Sequence, residues 1–206
     1  MGTALNYLLE DLAISCARVF TWTLLSFAGG IGIAWLCFTR TAIYNILMPL
    51  VNFLRHISPF CWIPIIILVA GIGEWPVGIV LLFSMLFNAI VIGIGIFSAV
   101  HRDILDTASL DGAGRSESLR YILIPLCLPE FINLFRVLWS VGWTAIIAAE
   151  MLGVRSGLGY RLLDFRYLLL YKEMLFYIVV IGGIGVAADL LLVRIQERLR
   201  LRIFGK

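Results

Sequence analysis

Charged residues are scarce in this sequence, and their scarcity excludes an ordinary water-soluble domain. Only 14% of the 206 residues are charged and 62% are hydrophobic, whereas a soluble domain carries roughly 25% charged residues. The mean hydropathy of +1.02 is too high for a chain that buries its apolar surface in one aqueous core. The membrane is therefore the expected solvent, and a helix needs about 20 apolar residues to cross it.

Several chemical signatures are also absent, and each absence removes a class of function. The four cysteines form no C-x-x-C pair and the two histidines have no further ligands beside them, so neither a disulfide framework nor a metal centre is expected. No G-x-x-x-x-G-K-[ST] segment is present, which excludes ATP binding by a P-loop. No basic tract with interleaved aromatics indicates nucleic acid. No nucleophile with a base and no paired carboxylates support an enzyme, and no cofactor is expected in the chain.

Long apolar runs predict an all-α, polytopic membrane protein with one domain, residues 1–206. The expected membrane spans are five, at about residues 19–39, 57–73, 76–100, 131–152 and 173–193. Between and before them we expect an interfacial segment, an amphipathic linker helix and a polar loop, at residues 1–17, 40–56 and 153–172. The second span is short and contains Pro59 and Pro64. Broken spans often line a pathway, although a kink that only shapes packing explains these prolines equally well.

The longest stretch that cannot lie in lipid is residues 101–130. Seven charges fall within residues 102–120 of this loop. Local chemistry favours two short helices, at residues 103–110 and 116–122, with Gly112 allowing a turn between them. On its own, this pattern is typical of a solvated hairpin that joins two membrane helices.

The order of residues in this loop resembles the EAA loop of binding-protein-dependent ABC importer permeases. The family pattern is Glu-Ala-Ala, three residues, Gly, nine residues and Ile-x-Leu-Pro. At the same spacing this sequence has Asp106-Thr107-Ala108, Gly112 and Ile122-Leu123-Ile124-Pro125, so it departs from the pattern at residues 106, 107 and 124. The resemblance implies a cytoplasmic coupling helix that docks on a separate ATPase. The implied docking residues are Asp103, Asp106, Thr107, Ala108, Asp111, Gly112, Ala113, Arg115 and Ser116.

Further segments resemble the branch of these permeases that serves nitrate, taurine, aliphatic sulfonates and bicarbonate. They are Pro59, Trp62-Ile63-Pro64, Gly71-Ile72-Gly73-Glu74, Ala148-Ala149-Glu150-Met151, Ser156-Gly157-Leu158-Gly159-Tyr160 and Asp164. The resemblance implies the transmembrane subunit of an importer for a small solute. Its implied partners are two ABC ATPase subunits that bind ATP and Mg²⁺, a second permease copy or homologue, and an extracytoplasmic substrate-binding protein.

The candidates for the translocation pathway and its outer gate come from the same segments, except Asn88, which lies near the centre of the third predicted span. They are Pro59, Trp62, Pro64, Asn88, Glu150, Ser156, Gly157, Gly159 and Tyr160. The turn at residues 156–159 is expected to be flexible and to expose backbone N–H groups. Three arginines surround it, namely Arg155, Arg161 and Arg166, and together these groups favour an anion. Glu150 either meets substrate or pairs with one of these arginines. In the alternative, the arginines only face lipid headgroups and the binding protein.

The distribution of basic residues predicts the orientation of the chain in a prokaryotic cytoplasmic (inner) membrane. With five spans, ten Lys and Arg lie on the side of the central loop and the C-terminus, and five lie on the other side. The richer side is expected to be cytoplasmic, which places the N-terminus outside.

A secondary transporter or channel without an ATPase partner is the alternative function. It would need ionisable groups within the membrane, and Arg136, Glu150 and Asp189 are the candidates. All three lie near the ends of predicted spans, where snorkelling or pairing at helix ends accounts for them.

Overall fold

The computed structural model describes residues 2–99 and 124–204, and almost all of these residues are helical. The helices are α1 (Gly2–Thr39), α2 (Thr41–Arg55), α3 (Pro59–Ala70), α4 (Glu74–Ala99), α5 (Ile124–Gly153), α6 (Leu158–Tyr167) and α7 (Tyr171–Phe204). The predicted all-α fold is confirmed. The nine predicted ATPase-docking residues, and the two short helices predicted around them, lie outside the described residues.

Four of these helices are long and apolar enough to cross a membrane. The candidate spans are Tyr7–Thr39, Glu74–Ala99, Leu126–Met151 and Tyr171–Leu199. A fifth candidate exists only if α2 and α3, which meet at a bend of 98°, count together as one broken span. The chain therefore has four or five candidate spans in the part that the structure describes.

The predicted span at residues 57–73 differs from the helix that forms there. Helix α3 has 12 residues, which is about 18 Å at the usual rise, against a hydrocarbon core of about 30 Å. The helix is short because Pro59 begins it and Gly71, with φ +76°, ends it. It cannot cross the bilayer without α2.

Two expectations about the segments outside the spans need correction. The interfacial segment expected at residues 1–17 is continuous with the first span in α1, because its polar residues Asp11 and Ser15 are buried against other helices and need no water-facing surface. The polar loop expected at residues 153–172 contains a helix, α6. The linker helix expected at residues 40–56 is confirmed as α2.

The core lies between α1, α4 and α5, and small residues allow α1 and α4 to approach closely. A Cβ atom on Gly30 would collide with the Cβ atom of Ala89, and one on Gly93 would lie 2.8 Å from the Cβ atom of Ala34. Helices in lipid associate largely through close packing. Lipid tails are as apolar as the side chains, so no hydrophobic effect drives the helices together. The close contact between α1 and α4 is therefore a main source of stability.

We expect Gly30→Ala to destabilise the protein, because the added methyl group has no space beside Ala89. Overpacking costs about 1–3 kcal/mol, which at such a close approach outweighs the gain of about 1 kcal/mol from the higher helix propensity of alanine. The matched control is Gly32→Ala, where a Cβ atom would meet nothing within 4 Å. Thermal unfolding should occur several degrees lower for Gly30→Ala than for Gly32→Ala, and equal unfolding temperatures would contradict the close contact.

Candidate functional site

The buried charged side chains of the described residues lie at one end of the bundle, where α4 begins and α5 ends. They are Asp11, Arg18 and Glu150, and they belong to two hydrogen-bonded clusters. The Arg18 cluster consists of Ser15, Arg18, Glu74, Glu150, Ser156 and the backbone of residues 158–159. The Asp11 cluster consists of Asp11, Arg161 and Tyr177. We call this end of the bundle the cluster end.

Arg18 lies at the centre of the first cluster and uses all five of its guanidinium N–H groups. Nε donates to Oε2 of Glu74 at 2.7 Å, and Nη2 donates to the other oxygen of the same carboxylate. Nη1 donates to Oε1 of Glu150 at 2.8 Å. Ser156 accepts the remaining two bonds, through its carbonyl oxygen at 2.9 Å and its hydroxyl at 2.7 Å. A guanidinium has five donors, so a further acceptor could bind only by displacing one of these.

Glu150 is 0% exposed, and groups from three parts of the chain satisfy its carboxylate. Ser15 Oγ of α1 donates to Oε1 at 2.8 Å, Arg18 forms the ion pair, and the N–H group of Gly159 donates to Oε2 at 2.9 Å. A buried carboxylate costs several kcal/mol unless it is paired and hydrogen-bonded. The Glu150 carboxylate therefore holds α1, α5 and the start of α6 together.

The turn between α5 and α6 is built around this carboxylate. Gly157 has φ +99°, and a Cβ atom there would lie 2.5 Å from the carboxyl carbon of Glu150. The N–H groups of Leu158 and Gly159 donate inwards, to Ser15 Oγ and to Glu150, both at 2.9 Å. The expectation of a flexible turn that exposes its backbone is therefore wrong. The glycines are required because the backbone packs directly against a buried charged group.

The Asp11 cluster connects α1 with α6 and α7. Arg161 Nε donates to Oδ2 of Asp11 at 2.9 Å, and the Tyr177 hydroxyl donates to the same oxygen at 3.2 Å. The guanidinium also lies over the ring of Tyr7, 4.5 Å from its centroid. The hydrogen bond with Asp11 is the main cause that raises the pKa of Arg161 above its ordinary value. The ion pair therefore favours the charged form of Arg161.

The predicted pathway residues fall into two groups in the structure. The cluster end brings together five of them, namely Glu150, Ser156, Gly157, Gly159 and Tyr160. The other four lie on α3 and α4, namely Pro59, Trp62, Pro64 and Asn88. Trp62 packs edge-on against Phe83 at 5.3 Å, and the Asn88 side chain donates to the carbonyl oxygen of Ser84 within its own helix.

The three arginines expected around the turn have separate surroundings. Arg161 is paired with Asp11, while Arg155 and Arg166 are exposed. None of them is the ion-pair partner of Glu150, because that partner is Arg18. The expected pairing of Glu150 with one of the three is therefore wrong.

Sequence reasoning missed the contribution of α1 to the site. Asp11, Ser15 and Arg18 are spaced by four and three residues, which places them on one face of a helix. A charged and polar face inside an otherwise apolar helix needs buried partners. That spacing was the available signal, and it gives no indication of which distant residues supply the partners.

Arg136 and Asp189, two ionisable groups considered for a secondary transporter, pair with each other. Nε and Nη2 of Arg136 in α5 donate to the two carboxylate oxygens of Asp189 in α7, at 2.5 and 3.1 Å. Since Glu150 is paired with Arg18, all three groups named for that function are occupied by ion pairs.

A surface cleft of about 550 Å³ lies beside the Arg18 cluster. It is lined by Ile72, Gly73, Glu74, Gly153, Val154, Arg155 and Ser156. Over residues 2–99 and 124–204, no three His, Cys, Asp or Glu side chains are grouped so that they could hold a metal ion. The arrangement at this end is suited to joining helices, and it has no feature of a cofactor site within the described residues.

Comparison with known proteins gives relatives among transport proteins. The taurine transport system permease protein TauC of Escherichia coli is 28% identical over 192 residues, which are 92% of this chain and 69% of TauC. The nitrate import permease protein NrtB of Leptolyngbya laminosa is 25% identical over 189 residues, 91% of this chain and 67% of NrtB.

A solved structure and a family model that match this chain also describe transport proteins. A chain of the MetNI methionine ABC transporter, solved in inward-facing conformations, has the same fold. Its TM-score is 0.81 and its identity 17%, over 95% of this chain and 97% of that chain. The family model described as "binding-protein-dependent transport system inner membrane component" matches residues 26–204. This chain belongs to the family of binding-protein-dependent transport system inner membrane components.

Proposed function

We propose that this chain forms half of the translocation pathway of an ABC importer for a small anion or a small sulfonate-bearing solute. The observation that carries the proposal is the family match over residues 26–204. The solute class is supported by the names of two relatives, a taurine permease and a nitrate permease. Taurine carries a sulfonate group and nitrate is an anion, so a small oxyanion group is their shared chemistry.

The pathway in this proposal follows α3 and α4, with Pro59, Trp62, Pro64 and Asn88 as lining candidates. Helix α3 supports this placement because it is short and lies after a 98° bend, and freed backbone groups at membrane depth need protein or water partners. Glu150 receives a different role from the one its sequence suggested. Its carboxylate is enclosed and fully hydrogen-bonded, so we assign it to holding the cluster end together.

The partners in this proposal are two ATPase subunits, a second permease copy or homologue, and a substrate-binding protein. Dependence on a binding protein is part of the family description. The ATPases would bind ATP and Mg²⁺ and dock on the predicted docking residues between positions 103 and 116. The loop predicted at residues 101–130 is shorter than expected, because residues 124–130 belong to α5. The excess of basic residues on that side supports a cytoplasmic loop and C-terminus. The N-terminus and the cluster end would then face outwards, towards the binding protein.

Uptake into proteoliposomes tests this function. The chain would be purified with its ATPase and binding-protein partners, and offered taurine, nitrate, bicarbonate and methionine. We expect ATP-dependent uptake of at least one of the first three, about tenfold above methionine. Uptake that proceeds at the same rate without ATP or without the ATPase would contradict the proposal and favour a secondary transporter or channel.

The docking role of the central loop generates a second test. We expect Gly112→Val to uncouple ATP hydrolysis from transport, because a β-branched residue would strain the turn that the sequence predicts between two short helices. Uptake should fall at least tenfold while hydrolysis continues, and Asp106→Ala should have a milder effect. Gly114→Val is the matched control, since Gly114 lies in the same loop outside the family pattern. Normal uptake by an assembled Gly112→Val complex would contradict the docking role of this loop.

A further inference from the structure

A strip of exposed apolar residues covers the corner between α6 and α7. Five consecutive side chains form this corner strip, and each is between 38% and 76% exposed: Tyr167, Leu168, Leu169, Leu170 and Tyr171. Arg166 and Lys172, one at each end of the strip, are exposed as well. Runs of exposed apolar residues in this number normally mark a contact with something outside the chain.

The backbone of the corner strip contains a strained leucine. Helix α6 ends in a Schellman motif, in which the N–H group of Leu170 donates to the carbonyl oxygen of Phe165 at 2.9 Å and that of Leu169 to Arg166 at 3.2 Å. Leu169 has φ +57°, in the place where such motifs usually have glycine, because a Cβ atom is unfavourable in the left-handed conformation. Its side chain is 66% exposed, so contacts within the chain do not compensate. A leucine here indicates a contact outside the chain.

The position of the corner strip indicates what that contact is. The candidate span of α7 begins at Tyr171, so the strip lies at a boundary between lipid and water. Exposed apolar residues continue from it along α7, at Leu175, Ile178 and Val179. Tyrosines are enriched at the level of lipid headgroups, and Arg and Lys at such a boundary reach towards phosphates.

We propose that the corner strip lies in the boundary between headgroups and acyl chains of one leaflet, where Arg166 and Lys172 bind the phosphates of anionic phospholipids. The three leucines would enter the acyl region, and the two tyrosines would lie at headgroup depth. Helix α6 is tied to α1 by the pairing of Arg161 with Asp11. The anchor would therefore fix the depth of the cluster end in the bilayer. The proposal depends on membrane insertion and is independent of the transported solute.

Fluorescence quenching tests where the corner strip lies. Cys16, Cys37, Cys61 and Cys127 would be replaced by alanine, and bimane attached to Leu168→Cys, or to Arg155→Cys as a control at the same end. The labelled permease–ATPase complex would be placed in vesicles of phosphatidylcholine and phosphatidylglycerol at about 3:1. We expect lipids with a nitroxide near the top of the acyl chain to quench the label at position 168 several-fold more than the label at position 155. Iodide, which stays in the water, should quench the label at position 155 more than the label at position 168.

Two results would overturn the proposal. If iodide quenches both labels equally, the strip faces water. If neither quencher reaches the label at position 168, a protein covers the strip, such as the binding protein or a second copy of the chain.

A lipid-selection measurement tests the two basic residues separately. Each Arg or Lys beside an anionic surface is worth about fivefold in association. The Arg166→Gln/Lys172→Gln variant should therefore lose roughly tenfold or more of the phosphatidylglycerol enrichment in co-purified lipid, whereas Arg155→Gln should retain it. Equal phosphatidylglycerol enrichment in the double variant and the unaltered complex would show that Arg166 and Lys172 do not bind lipid phosphates.

Discussion

The ion pair between Arg18 and Glu150 is the interaction on which the cluster end depends. Removing two opposite charges from water costs several kcal/mol for each, and a pair is tolerated only where hydrogen bonds satisfy both groups. Here every guanidinium N–H group has an acceptor, and the carboxylate accepts from Ser15, Arg18 and the backbone of Gly159. Because Arg18 also binds Glu74, helices α1, α4 and α5 and the start of α6 share one network. Separating α1 from α5 would leave the buried Glu150 carboxylate without its counter-charge, while moving α4 or the start of α6 would break hydrogen bonds to Arg18 or Glu150.

The two ends of the bundle are held by different physical means. The end opposite the clusters is packed by aromatic rings from the three core helices, including Trp35 against Phe97 at 5.3 Å and Phe97 against Phe131 at 5.8 Å. Such contacts have no fixed hydrogen-bond geometry, so rings can slide where an ion-pair network cannot. As an inner membrane component of a transport system, the chain is a transport subunit and not an enzyme.

The sequence predicts the helices well and the polar contacts poorly, for identifiable reasons. Apolar runs predict five spans because lipid demands a minimum length, and four of the five are long helices in the structure. Helix α3 is shorter than the predicted span because Pro59 and Gly71 set its ends. The sequence does not indicate the partner of Glu150, because Arg18 lies 132 residues away. The sequence predicts a flexible turn at Gly157, since a glycine that permits motion and one that permits close approach look the same in a sequence. Only the packing of the turn against Glu150 distinguishes them.

A double-mutant cycle between Arg18 and Glu150 tests the central claim most directly. The variants are Arg18→Met, Glu150→Gln and their combination, and the measured quantity is the free energy of unfolding of the assembled complex in one detergent. Arg18→Met should cost about 3–5 kcal/mol, because it leaves the buried Glu150 carboxylate without a counter-charge. Glu150→Gln should cost less, because Arg18 keeps its ion pair with Glu74. The double variant should be more stable than the sum of the two costs predicts, with a coupling energy of about 2 kcal/mol or more. Additive costs would show that the pair does not hold the cluster end together.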